Sequence, residues 1–174
     1  MSSALDTAIY RRLVGIETLS GSAATAQAAL IVLLATDPDT GRAAVYNSSL
    51  NDAQLTASGV KTQVFPCITF NQATGTPNRD VWNSGAIHEQ VIYNFEVWND
   101  ARTAVPIKTM CEYLDSLLDY RLGAVTQTTN PLVITNGFVD WCEEDIPINF
   151  HYDRAIHAWA GLVRYAITMR RWLA

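Results

Sequence analysis

Charge is scarce in this sequence. Charged residues make up 17% of its 174 residues while 49% are hydrophobic, and an ordinary soluble domain carries about a quarter charged. So little charge cannot cover a whole surface, and some apolar area is expected to face a partner. What charge there is sums to -5, with a pI near 5.0. That balance excludes gripping nucleic acid by neutralising phosphates, which needs a clustered excess of Lys and Arg. Passive passage of DNA past the protein is compatible with it.

Cysteine is equally sparse. Cys67, Cys111 and Cys142 lie far apart and form no CxxC pair, which excludes a disulfide framework and reads as three small core side chains in a reducing cytoplasm. Long apolar runs are also missing. The continuous one, Ala28 to Ala35, is too short to span a bilayer, and it sits behind Asp6 and Glu17, unlike a signal peptide. A soluble product without membrane contact is expected. Catalytic signatures are absent as well: there is no GxSxG elbow, no GxGxxG or GxxxxGK phosphate loop, and no kinase or zinc-deaminase motif. No enzyme activity, catalytic residue or cofactor is expected.

What is present centres on residues 87 to 119. In IHEQVIYNFEVWN, Val91, Tyr93, Phe95 and Val97 alternate with polar neighbours, the period of a strand with one buried face. Ile107, Met110, Cys111, Leu114, Leu117 and Leu118 then recur at helical spacing, an apolar stripe that should meet that face. Thr103 is the expected N-cap, Pro106 is tolerated in the first turn, and Gly123 lies just past the end.

Before this unit, Ser3 and Asp6 resemble a capping box, and Leu5, Ala8, Ile9, Leu13 and Ile16 predict a first helix to about Gly15. A Ser/Gly/Ala stretch follows, then a second helix from Ala26 to Ala35, apolar nearly all round and therefore either deeply buried or packed on another subunit. Residues 37 to 41 form a turn cluster, and Ala43 to Tyr46 a short strand. Long loops are expected at about 47–63 and 71–86, either side of a strand from Val64 to Phe70. After the helix come a Thr/Asn-rich linker and two long strands, Phe138 to Ile148 and His157 to Arg171, joined around Asn149 to Ala155. The expected fold over residues 1–174 is one α+β domain, a mostly antiparallel sheet with amphipathic helices packed on one face.

Three constellations carry chemical weight. His151, Asp153 and His157 have neither HExxH spacing nor a Cys cluster beside them, so no metal site is assigned and they read as solvated turn residues. Asp140, Glu143, Glu144 and Asp145 crowd one strand, where alternation puts Glu143 and Asp145 on one face and Asp140 and Glu144 on the other. They form either a solvated rim that discourages edge pairing or, were the protein a pore, an acidic wall that repels a polyanion. Of the five tryptophans, Trp98 stands out, because it falls on the otherwise polar face of the central strand.

The order of elements resembles a known family. A short amphipathic helix (LDTAIYRRLVG), a Pro-led strand (PCITF), a long alternating strand ending in an acidic turn (QVIYNFEVWND), a helix (PIKTMCEYLDSLLD) and two closing strands ending in YAITMRR are similar to the tail-completion or tail-terminator proteins of long-tailed bacteriophages. The resemblance is strongest from Val64 onward. The segments 15–63 and 71–85 are longer than the family's connections. The resemblance implies a homohexameric ring in the virion, assembled in the host cytoplasm, that caps the major tail tube protein and offers a surface to a head-side neck or connector protein. DNA would pass through it without specific binding. In such a ring Glu143 and Asp145 are the expected lumen-facing carboxylates, and Leu30, Ile31, Leu34 and Trp98 the expected subunit-interface residues. A head-side connector or stopper of the same virion is the alternative role, and a ligand-binding α+β domain a further one.

Overall fold

The computed structural model describes residues 3–47, 64–74, 80–81, 86–121, 130–135 and 137–172. Among them are three helices, α1 (Ser3–Leu13), α2 (Gly21–Leu33) and α3 (Val105–Leu118), and eight strands. The strands are β1 (Val45–Tyr46), β2 (Cys67–Thr74), β3 (Asp80–Val81), β4 (Ala86–Asn99), β5 (Tyr120–Arg121), β6 (Val133–Ile134), β7 (Gly137–Asp153) and β8 (Ala158–Trp172). All belong to one sheet, in the order β1-β2-β4-β8-β7-β5, with β3 on β4 and β6 on β7. Every pairing is antiparallel except β1 with β2, which is parallel. The fold is α+β, as the pattern of elements predicts.

The core lies where strand alternation and helix stripe meet. Tyr93 pairs with Tyr165 and Phe95 with Val163 across β4 and β8, so the apolar faces of both strands point to the same side. There Ile107, Met110, Cys111, Leu114, Leu117 and Leu118 of α3 are all 0% exposed. Burying each large side chain of this stripe is worth about 1.5–3 kcal/mol before the entropy of ordering it. Phe95 stacks on Phe70 at 5.8 Å and meets Tyr165 edge-on at 5.5 Å, arrangements that suit the ring quadrupoles. Two tyrosine hydroxyls tie the helices down: Tyr93 donates to Asp6 of α1 at 2.6 Å and Tyr165 to Asp115 of α3 at 3.0 Å.

Where α3 crosses β8 there is no room for a side chain. A Cβ on Gly161 would lie 2.7 Å from Ile107 Cγ2 and 2.9 Å from Cys111 Sγ, so glycine is what allows the helix to sit directly on the strand.

Several boundaries differ from those expected. The second helix starts at Gly21 rather than Ala26, because the Ser/Gly/Ala stretch that reads as a loop supplies small residues that pack closely, Ala23 and Ala26 both being buried. Its burial is also one-sided: Ala23, Ala26, Gln27 and Leu30 face inward, while Val32 is 83% exposed. The N-cap of α3 is Ala104, without a side-chain cap, rather than Thr103. Of the loop expected over 71–86, residues 71–74, 80–81 and 86 are strand; the rest of it, with Trp82, and residues 48–63 of the other loop lie outside the described residues. The final hairpin is longer than expected, since β7 continues to Asp153 and leaves only four residues to turn. His157 takes a positive φ of 53° there, and the Asp153 carboxylate accepts from the Ala155 amide at 2.8 Å.

Candidate functional site

The feature that the helices do not absorb is the outer strand of the long hairpin. β7 pairs with β8 along its length, but among the described residues its other edge is covered only by β6 at Gly137 and Phe138 and by β5 at Trp141 and Cys142. From Glu143 to Asp153 no described strand lies beyond it. A strand edge of this kind is a template for pairing unless something blunts it.

Its two halves differ. The register against β8 shifts between Val139 and Trp141, between Glu144 and Ile146, and again between Ile146 and Asn149, and Pro147 removes a donor from the middle. From Asn149 to Asp153 the register is unbroken. Both halves expose large apolar side chains, Trp141 at 41% and Ile146 at 44% in the first, Phe150 at 36% and Tyr152 at 42% in the second.

These shifts redistribute the four carboxylates. Glu143 pairs with Ala166 and Glu144 with Tyr165, so Glu144 lies on the helix side and Glu143 on the far side. Asp140, expected beside Glu144, instead reaches Arg170 on the far side, accepting from its Nε at 2.8 and 2.9 Å, while that guanidinium lies 4.1 Å from the Phe138 ring centroid. Asp145 is exposed and falls at a register shift, so simple alternation does not relate it to Glu143. Strict alternation would put Phe138, Cys142, Ile146 and Ile148 on one face, and the same shifts prevent it: Cys142 is buried at 0% and Ile146 exposed. Burial and the neighbouring Asp115 raise the Glu144 carboxyl above its ordinary value. Asp115 is raised too, by burial first and by Asp119, against the lowering effect of the Tyr165 hydroxyl.

The expected interface residues are largely occupied within the chain. Leu30 is 0% exposed and Leu34 7%. Ile31 is half-buried against the end of α1, where Gly15 at φ 76° leaves space that a Cβ would fill, 2.6 Å from Ile31 Cδ1. Trp98, at 6%, belongs to a second small cluster on the far face with Cys67, Ala158 and Ala160. Its indole donates to Glu96 at 3.1 Å, and the His151 ring meets it edge-on at 5.8 Å. The large apolar side chains that α2 presents outward are Val32 and Leu33. His157 approaches Tyr152 at 3.4 Å, and among the described residues no group of three or more His, Cys, Asp or Glu is placed to hold a metal ion. The three cysteines are buried and form no disulfide; burial, then Glu112 and Glu144, pushes the Cys111 thiol up to about 12.

One residue that sequence reasoning passed over organises the helices. Arg12, 0% exposed, forks onto Glu17 at 2.7 and 2.9 Å and donates to the carbonyls of Leu117, Asn130 and Pro131 at 3.1, 2.8 and 2.8 Å. The signal was its position on the apolar stripe of α1, four residues after Ala8, with a carboxylate five residues on. Gln27 completes the joint by donating to the Arg12 carbonyl at 2.7 Å.

No family model and no curated protein matches this chain. Among solved structures that match is a chain from the virion of a native gene transfer agent particle. It is 15% identical, with 97% of this chain and 96% of that one covered and a TM-score of 0.58. At that identity the likeness is one of fold. Among the described residues, no helix is long and apolar enough to cross a membrane.

Proposed function

We propose that this chain is a structural protein of a phage-like particle, one that caps the tail tube as a ring, most simply of six copies, and offers the surface to which the head-side neck joins. The observation that carries the reading is the end-to-end likeness of fold to a chain of a gene transfer agent virion. The order of elements, which resembles tail-terminator proteins, supports it independently. The distribution of apolar surface agrees with a protein that works by being contacted: Val32 on α2, Val133 on β6 and the outer strand of the hairpin all present large apolar side chains to solvent.

Electron microscopy of the purified full chain, alone and mixed with tail tubes, tests the proposal. Ring-shaped density at one end of the tubes is the expected result. Single copies that ignore tubes would overturn it. Binding to the neck of filled heads but not to tubes would instead favour the connector or stopper role, which the same likeness of fold supports equally.

A further inference from the structure

The end of α3 carries charge of the wrong sign for its place. Asp115 and the C-cap Asp119 stand four residues apart there, after Glu112, and the last turn holds no Lys or Arg. Like charges at that spacing repel, and the C-terminal end of a helix favours cations. The strand beneath adds another carboxylate. Glu144 pairs with Tyr165 on β8, and the hydroxyl of that buried Tyr165 donates to Asp115 at 3.0 Å. Tyr120, directly after Asp119, pairs with Cys142, two residues before Glu144. These links bring Asp115, Asp119 and Glu144 to one junction between the end of α3 and the outer strand.

The cations around the junction are engaged or distant. Arg12 reaches it by donating to the Leu117 carbonyl, but its guanidinium is forked onto Glu17. Lys108 lies seven residues before Asp115, about 10 Å along the helix, and Arg121 pairs with Trp141, a position on the far face. Of the neighbouring acids on β7, Glu143 lies on the far face and Asp145 is exposed at the register shift. Among the described residues neither Asp115 nor Glu144 is in an ion pair. Asp115 has the Tyr165 hydroxyl, and Glu144 accepts from the Ile148 amide across the register shifts. Burial and then Asp119, against that hydroxyl, raise Asp115 above its ordinary value. Burial and then Asp115, against that amide, raise Glu144. Repulsion between two charges is mutual, so whichever carboxyl takes up a proton first relieves the other.

We propose that Asp115 and Glu144 form a proton-sensitive clamp between α3 and β7, loose while both are charged and tightened when one proton is bound between them. The clamp sets how firmly the broken middle of the outer strand is held. It is a property of one copy and holds whether or not the chain forms a ring. Both groups bind protons more readily in the folded chain than in the unfolded one, so the clamp's contribution to stability grows as pH falls through the folded values and stops growing at the unfolded ones. Asp37 acts in the opposite sense, but only below its ordinary value, so the two effects occupy separate windows.

The test compares the full wild-type chain with Glu144→Gln, Asp115→Asn and the double variant, which all keep acceptors for the Ile148 amide and the Tyr165 hydroxyl. Amide hydrogen exchange, corrected for the intrinsic effect of pH, is followed between about pH 7 and about pH 5, together with the carboxyl carbon resonances of Asp115 and Glu144. On acidification the wild-type amides over residues 144–148 and in the last turn of α3 should gain about two-fold protection, the scale of one like-charge pair. Each single variant should show that gain already at neutral pH and respond less to acid, and the double should add little. Glu144→Gln should lower the Asp115 midpoint and Asp115→Asn the Glu144 midpoint by equal amounts, because coupling between two sites is reciprocal. Single variants that keep the full wild-type response, midpoints that do not move, or a double variant whose gain is the sum of both would show two independent carboxyls and overturn the proposal. A single variant less protected than wild type at neutral pH would overturn it too, by showing that the charges hold the junction together.

Discussion

The guanidinium of Arg12, wholly buried, is held by the carboxylate of Glu17, which is itself partly exposed, through a two-pronged contact of 2.7 and 2.9 Å. Around that pair three chain segments meet: the end of α1, the last turn of α3 and the stretch at Asn130 and Pro131. A buried charge is tolerable only when paired and hydrogen-bonded, and Arg12 satisfies both conditions with donors in a planar fork.

Removing the fork should therefore be costly. Arg12→Ala strands three carbonyls and the Glu17 carboxylate and is expected to lose about 3–5 kcal/mol in urea unfolding. Arg12→Lys should rescue little, because an ammonium cannot serve Glu17 bidentately and also reach the carbonyls. A lysine variant as stable as wild type would show that charge alone, without geometry, holds this joint.

Gly161 gives a packing prediction with a built-in control. Gly161→Ala places a methyl group against Ile107 and Cys111 and should cost about 1–3 kcal/mol by overpacking. Combined with Ile107→Ala, which removes the Cγ2 that the new methyl group meets, the loss should be smaller than the sum of the two single losses. Strict additivity in a double-mutant cycle would contradict the close approach.

Leu114→Asp should be the most damaging single change on α3. It puts a carboxylate at a 0% exposed position facing the strand core. Insoluble or unfolded protein is expected on expression, and a soluble variant with an unchanged Tm would mean that the helix presents another face to the sheet.

Two carboxylates predict opposite responses to pH. Burial raises Asp115 in the folded state, so its charged form opposes folding, and the stability it withholds at neutral pH returns as pH falls through the raised value toward the unfolded one. Asp115→Asn keeps an acceptor for Tyr165 and should raise Tm at pH 7, with the advantage shrinking on mild acidification.

For Asp37 burial pushes the carboxyl up, but the Thr40 amide at 2.8 Å, the Tyr46 and Thr40 hydroxyls and the Asp39 amide outweigh it and hold it below its ordinary value. Its stabilisation is then complete above the unfolded value and lost as pH falls through the folded one. Asp37→Ala should cost about 1–2 kcal/mol at pH 7, and the difference from wild type should close in acid. A gap that persists at low pH would assign the loss to packing.

The central unit could be read from the chain because its information is local. Val91, Tyr93, Phe95 and Val97 alternate on a strand without a register break against β8, and the α3 stripe is regular over its whole length. Periodicity reports burial faithfully when an element is regular. The same reasoning misled on β7, where three register shifts divide the carboxylates between faces in a way that strict alternation does not allow. Such shifts arise from fitting one long strand to another, and no residue within Phe138 to Ile148 announces them apart from Pro147. On α2, composition correctly marked an apolar helix but not which side is buried, because alanines and leucines occur all round it.

By itself, then, the sequence determined the fold class, the α3–β4 core and the shortage of surface charge, since side-chain period and composition set these within each element. Only the tertiary structure decided which carboxylates share a face, that Leu30, Leu34 and Trp98 are buried within the chain, and that Arg12 is a hub. Arg12's carbonyl acceptors lie 105 to 119 residues away, and contacts at that distance exist only once the fold has brought those segments together.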